Sequence, residues 1–194
     1  MASAAPRSAD RRVQRTRRIL REALTTLLQE RSWDDIGVQD ICERADIGRS
    51  TFYMHYQGKE QLLAGGLDDL RDTLREQADA TYGGKAERLS FVRGLIGHVW
   101  DQRKLFRAVI GRKSGHVVRM RFREMVRRLV AEELAHFSAT GWQREAAVHY
   151  VTGGLVELLA WWVDARTAVP PDEVERYFQR LALAALAQQR EPVG

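Results

Sequence analysis

"VQDICERADIGRSTFYMHYQGKEQLL", Val38 to Leu63, is the stretch on which the reading of this chain turns. Val38, Ile41, Cys42 and Ala45 recur at i, i+3, i+4 and i+7, the spacing of a short amphipathic helix. Gly37 stands at its N-cap, with Asp40 three residues on. Asp46 then interrupts the pattern, and aspartate tolerates the left-handed backbone that a sharp turn needs. Gly48 to Tyr56 makes the next short helix. On it Phe52 and Tyr56 share one face and can pack inward, while Arg49, Ser50, Tyr53 and Met54 point elsewhere. Helix, tight turn and helix in quick succession is the helix-turn-helix layout.

The exposed chemistry of that second helix suits duplex DNA. A helix fits the major groove, where an arginine can fork onto guanine and an apolar tip can touch a thymine methyl. Hydroxyls, tyrosine, histidine and lysine supply phosphate contacts that hold register without reading sequence. Lys59 stands at the head of the following helix, where free backbone N–H groups already favour an anion.

Working outward, a first helix covers Asp10 to Glu30, with Ile19, Leu20, Ala23, Leu24, Leu27 and Leu28 on one stripe. Its beginning is rich in arginine: Arg7, Arg11, Arg12, Arg15, Arg17, Arg18 and Arg21 are opposed only by Asp10 and Glu22. Positive charge there works against the helix dipole, so either a partner asks for it or the face is simply solvated. A helix from Gly58 to Ala80 carries Leu62, Leu63, Leu67, Leu70 and Leu74. "TYGGK", Thr81 to Lys85, is the clearest linker. Further helices are read at Ala86–Trp100, Lys104–Ile110, Gly115–Ser138, Trp142–Thr167 and Pro171–Gln189. The only prolines are at 6, 170, 171 and 192, so none interrupts these helices.

The chain has 194 residues, 44% hydrophobic and 29% charged, with a net charge of +5 and a pI near 9.7. A basic balance favours an acidic partner: nucleic acid, an anionic surface or an acidic ligand. The single cysteine, Cys42, can form neither an internal disulfide nor a metal cluster and reads as a small core residue. It fits a reducing cytoplasm. The N-terminus lacks the apolar core of an export signal, and the apolar run Val151–Val163 is too short to span a bilayer. A cytoplasmic protein without membrane partners is expected.

Val38 to Leu63 resembles the DNA-binding domain of the TetR family of bacterial repressors. The resemblance rests on Tyr53, Tyr56, Lys59 and Glu60 at the family's motif positions and on the preceding "WDDI", and it covers residues 10 to 63. It departs from the family at Gly37 and Gly48, where Ser or Thr usually caps, and at Asp46, where the turn usually has glycine. The resemblance implies an all-α fold. A helix-turn-helix domain over 10–57 would be followed by a helical effector-binding and dimerisation domain over 58–190. It implies Gln39, Arg49, Ser50, Thr51 and Met54 as base readers, and Arg15, Thr16, Tyr53, His55 and Lys59 as phosphate contacts. The residues alone leave His55 open between phosphate contact and plain surface.

The same family likeness implies a homodimer on a near-palindromic operator, one recognition helix per half-site. Dimerisation would use the last two long helices, through Tyr150, Gly154, Leu158, Trp162, Tyr177, Phe178, Leu181 and Ala185. "YVTGGLVELLAWWVD" and its flanks are also similar to the subgroup typified by dihydroxyacetone-kinase regulators. Members of that subgroup can act with a protein partner, so a co-activator or interaction protein is the alternative reading. An effector pocket for an unknown small molecule would draw on His98, Trp100, Phe106, Met120, Phe122, His149, Trp161 and Trp162. Between Arg103 and Arg128 ten basic residues face one acid, Glu124. An anionic effector, a solvated face or attraction towards DNA would each account for them.

Enzyme motifs are missing. There is no His-Glu-x-x-His, no G-x-S-x-G and no complete phosphate loop; "GRKSG", Gly111 to Gly115, lacks the spacing and the ending. No catalysis and no cofactor are expected.

Overall fold

The computed structural model describes residues 5–82, 89–111, 115–136, 141–165 and 169–187. The expected linker at Gly83–Lys85 lies outside them, as do Arg112, Lys113 and the expected helix termini at residues 86, 138, 167 and 189. Among the described residues the regular elements are all helical. They are α1 (Ala5–Glu30), α2 (Val38–Ala45), α3 (Arg49–His55), α4 (Lys59–Tyr82), α5 (Phe91–Asp101), α6 (Arg103–Ile110), α7 (His116–Glu133), α8 (Trp142–Asp164) and α9 (Pro171–Ala187), with 3-10 turns at Trp33–Asp35 and Leu134–His136. The fold is all-α. The chain forms two compact units, residues 1–66 and 67–194. The division falls inside α4, whereas the sequence reading sets it ahead of that helix.

The first unit is built on the stripe read from α1. Leu20, Leu24, Leu27 and Leu28 are buried with Trp33, Ile36, Ile41, Phe52 and Leu62. α1 packs on α2 and α3, and α2 on α3. An Arg44–Glu30 fork at 2.9 and 2.7 Å ties α2 to the end of α1. The α1 helix starts earlier than Asp10, because Pro6 falls in its first turn, where a missing N–H costs nothing.

In the second unit α8 packs on α6 and α7, while α5 lies against α9 and α8. α8 has the length and mean hydropathy (1.2) of a bilayer-crossing helix, but half of that window is buried inside the protein. Nine of its residues, from Ala147 to Val163, face protein. Its C-terminal carbonyls are taken by arginines, and Trp162 O also accepts the Ala165 N–H at 3.3 Å. Arg103 donates to Trp162 O at 2.7 Å, Ala165 O at 2.8 Å and Val163 O at 3.2 Å, and Arg107 donates to Val163 O at 2.8 Å. Glu133, at the end of α7, accepts from the N–H groups of Ser90 and Phe91 and from the Ser90 hydroxyl, which closes the start of α5.

The basic stretch is therefore largely structural. Arg119 donates to Gly111 O at 2.8 Å, and Arg127 and Arg128 both bond Glu124. Arg127, with Arg128 beside it, holds the Glu124 carboxyl down from 4.5 to about 2. A depressed carboxyl gives stability that is present above the unfolded value and lost as pH falls through the folded one. Wild type is expected to lose its stability advantage over Glu124→Gln between about pH 4.5 and about pH 2. Urea unfolding at pH 6, 4 and 2.5 measures it. The side chain is 38% exposed, so the advantage is small and shrinks in molar salt.

Candidate nucleic-acid interface

The interface begins with how α2 and α3 are held. The Asp40 carboxylate accepts the Gly37 N–H at 2.6 Å, giving the acidic half of a capping box. That bond, with the Arg31 ion pair at 2.9 Å, keeps the Asp40 carboxyl below its ordinary value. α2 ends at Asp46 in the left-handed region, φ 52° and ψ 46°. The Ile47 N–H reaches back to Cys42 O at 3.0 Å, the six-to-one bond of a Schellman turn. Gly48 has φ −63° and ψ 145°, and a Cβ there would meet only Ser50 Oγ at 3.9 Å. No steric demand explains glycine at this cap.

α3 turns Phe52 and Tyr56 into the core, with ring centroids 6.0 Å apart. Tyr53 meets Phe52 edge-on at 5.4 Å yet stays 51% exposed, and Met54 is 75% exposed. Arg49 and Ser50 are exposed beside them, and Thr51 and His55 are half-buried. Gln39, on α2, is exposed and donates to Glu43 Oε1 at 2.8 Å. With Arg49 it lines a hollow whose floor includes Cys42. Cys42 is buried, and that burial pushes its thiol upward. On α1, Arg15 is exposed and Thr16 half-buried.

Lys59 is bonded to the turn after α1. Its ammonium donates to Trp33 O at 2.8 Å and Ile36 O at 2.7 Å and lies 4.5 Å from the Trp33 ring centroid. Two of its three donors are engaged, one on Ile36 O and one on Trp33 O, which also accepts the Ile36 N–H at 3.2 Å. It ties α4 to the turn after α1 and has one N–H donor beyond those two bonds. Sequence spacing could not show this, because the contact joins residues 26 and 23 positions apart.

Residues 19–65 match the family model described as bacterial regulatory proteins, tetR family. They form a TetR-family helix-turn-helix domain. The chain is 22% identical over 164 residues to the HTH-type transcriptional regulator YxbF of Bacillus subtilis, across 81% of this chain and 42% of that one. It is 27% identical over 119 residues to the HTH-type dhaKLM operon transcriptional activator DhaS of Lactococcus lactis, across 61% of this chain and 62% of that one. Each match thus spans less than two thirds of the curated relative. Among solved structures, a TetR transcriptional regulator of Streptococcus agalactiae superposes with a TM-score of 0.68 at 23% identity, covering 90% of this chain and 97% of that one. The second helical unit therefore also follows a TetR-like fold.

Asp46 departs from the glycine usual in TetR turns, and its φ of 52° is a conformation glycine adopts without strain. Asp46→Gly is expected to stabilise the TetR domain by up to about 1 kcal/mol. It also removes a negative charge from the face that carries Arg49. Thermal unfolding and affinity for random duplex both test it, and both should rise.

Of the effector residues expected in the second unit, His98, Phe106 and Phe122 meet one another, as do Trp100 and Trp162, while Met120, His149 and Trp161 lie apart at the surface. Phe106, Phe122 and Trp162 are core residues, at most 3% exposed. His98 meets Phe106 at 5.6 Å, Phe106 meets Phe122 at 5.6 Å, and Trp100 stacks on Trp162 at 5.4 Å. Burial pushes the His98 imidazole below its ordinary value. Met120 and Trp161 instead face outward, 48% and 57% exposed, as does His149. Phe106, Phe122 and Trp162 are thus core, His98 and Trp100 are half-buried beside them, and Met120, His149 and Trp161 are on the surface.

The expected dimer face divides as well. Tyr150, Gly154, Tyr177 and Leu181 are exposed and Leu158 and Ala185 half-buried. Trp162 and Phe178 are buried within the unit, so they have no surface to offer a second chain. Phe178 lies 3.9 Å from the Cβ position of Gly154, which places α9 closely on α8.

Proposed function

We propose that this protein is a DNA-binding transcriptional regulator that reads a near-palindromic operator as a homodimer through α3, and is released by an effector of its second unit. The observation that carries the reading is the exposure of Arg49, Ser50, Tyr53 and Met54 on a helix fixed from behind by Phe52 and Tyr56. A rigid helix with polar and apolar tips outward is what groove reading requires. The base readers are Gln39, Arg49, Ser50, Thr51 and Met54, and Arg15, Thr16, Tyr53 and His55 hold phosphate. Exposed apolar groups on the last two helices, Tyr150, Tyr177 and Leu181, support the homodimer.

The effector acts, in this account, through α4, whose residues run from the first unit into the second. An effector that binds one setting of α4 better than the other shifts the spacing of the two recognition helices. A second reading, a protein partner in place of a small inducer, is favoured by the core placement of Phe106, Phe122 and Trp162 and the outward Met120 and Trp161. The name of DhaS as an activator supports carrying both signs of regulation forward.

Equilibrium binding to DNA upstream of the gene, against unrelated duplex of equal length, tests the proposal. Wild type is expected to prefer the upstream site by about 10³-fold or more, and Arg49→Ala with Tyr53→Ala to lose that preference. Equal affinity for both duplexes, unchanged by the substitutions, would overturn it.

A further inference from the structure

Gln39 and Glu43 stand one turn apart on α2, both exposed, and the Gln39 amide donates to Glu43 Oε1 at 2.8 Å. An ionised carboxylate only accepts hydrogen bonds. The group turned to Glu43 is therefore the amide NH2, and the amide oxygen is turned away. Neighbouring charges do not compete for this pair. Asp40 is committed to the Gly37 N–H and to Arg31, and Arg44 is forked onto Glu30. Gln39 and Glu43 line one hollow, of about 470 Å³, together with Asp46 and Arg49. The pair thus sits beside the start of α3, on the surface proposed to meet DNA.

Stability does not account for Glu43. An exposed i, i+4 pair contributes little to a helix. A negative charge beside Arg49 also repels the phosphates that the surrounding surface attracts. What the carboxylate supplies is orientation. A glutamine amide left to itself can turn either its oxygen or its nitrogen to a base, by a half-turn about its last torsion. Held by Glu43, it presents its oxygen and keeps one N–H. In the major groove adenine offers its N6 amino donor beside the N7 acceptor, the pattern a glutamine amide meets with two bonds. Guanine offers acceptors at both places, so its O6 would face the amide oxygen.

We infer that Glu43 is a positioning residue that sets Gln39 to read adenine, one base in each half-site. The inference rests on the proposed DNA-binding function and deepens it, naming the base and the residue that fixes its reader. Glu43 acts through Gln39, while its charge lowers affinity for every duplex alike.

The test compares Glu43→Met, which keeps bulk and helix propensity but removes the acceptor, with Glu43→Gln, which removes the charge but keeps an acceptor oxygen. Affinities are measured for an operator selected from random duplexes and for all its single-base variants. Gln39→Ala marks the position that Gln39 reads. Both Glu43 variants should unfold as wild type does and bind random duplex more tightly. Wild type is expected to prefer adenine over guanine at the marked position by about fivefold or more. Glu43→Met should cut that preference to about twofold or less and leave the other positions unchanged, whereas Glu43→Gln should keep most of it. Full preference in Glu43→Met, or an equal loss at every position, would overturn the positioning role. So would a wild-type preference for guanine at the marked position, or a Gln39→Ala variant that loses discrimination nowhere. A wild type without sequence preference at any position overturns the DNA-reading function itself, and this inference with it. The two failures are therefore distinct.

Discussion

Phe52→Ala is expected to destabilise the first unit by about 3 to 5 kcal/mol and to abolish DNA binding with it. Phe52 is fully buried and stands behind both Tyr53 and Tyr56, at 5.4 and 6.0 Å. α3 has seven residues, too few to hold a helix in water without packing. Removing the ring therefore removes the support of the reading surface, not a single contact. Hydrogen exchange of the α1 to α3 amides under increasing denaturant measures the loss, since it reads the first unit by itself. Tyr53→Ala provides the contrast. Tyr53 is half exposed, so its loss should cost about 1 kcal/mol or less while still impairing DNA binding. Equal stability of the two variants would contradict the division between a supporting and a reading side of α3.

The second large effect lies in the other unit. Arg103→Ala is expected to cost about 1 to 3 kcal/mol, because it strips the arginine donor from Ala165 O and one of two donors from Trp162 O at the end of α8. Arg107 still serves Val163 O and the Ala165 N–H still reaches Trp162 O at 3.3 Å, so the loss falls mainly on Ala165 O. The guanidinium also lies 5.7 Å from the Trp100 ring, which stacks on Trp162, so the loss reaches the aromatic core. Arg103→Lys should restore only part, since an ammonium cannot fork onto three carbonyls in one plane. Urea unfolding, with tryptophan fluorescence reporting the Trp100–Trp162 pair, reads both variants.

The helix-turn-helix was legible in the sequence because its signals are local. The α2 stripe, the aspartate turn and the inward Phe52 and Tyr56 all lie within nineteen residues, and each follows from helical spacing or turn chemistry. What escaped depends on contacts between distant residues. Lys59 looked like a free cation at a helix head until Trp33 and Ile36 were seen to hold it. The basic run from Arg103 to Arg128 left an anionic effector, a solvated face and attraction towards DNA open, yet Arg103 and Arg107 close a helix some sixty residues away. α8 posed a different difficulty. Apolar side chains lie on nearly every face of it, so periodicity could not tell that Trp162 turns inward and Trp161 outward. The same ambiguity mixed core and surface in the expected pocket and dimer face.

The most direct test of the central claim is selection of binding sites from a library of random-sequence duplexes. The account predicts one enriched near-palindrome with half-site centres about one helical turn, or a multiple of it, apart. It also predicts that Arg49→Ala loses discrimination at one position in each half-site, at a cost of about 1 to 3 kcal/mol there. Recovery of no common sequence, or of a single unrepeated half-site that Arg49→Ala selects equally well, would contradict it.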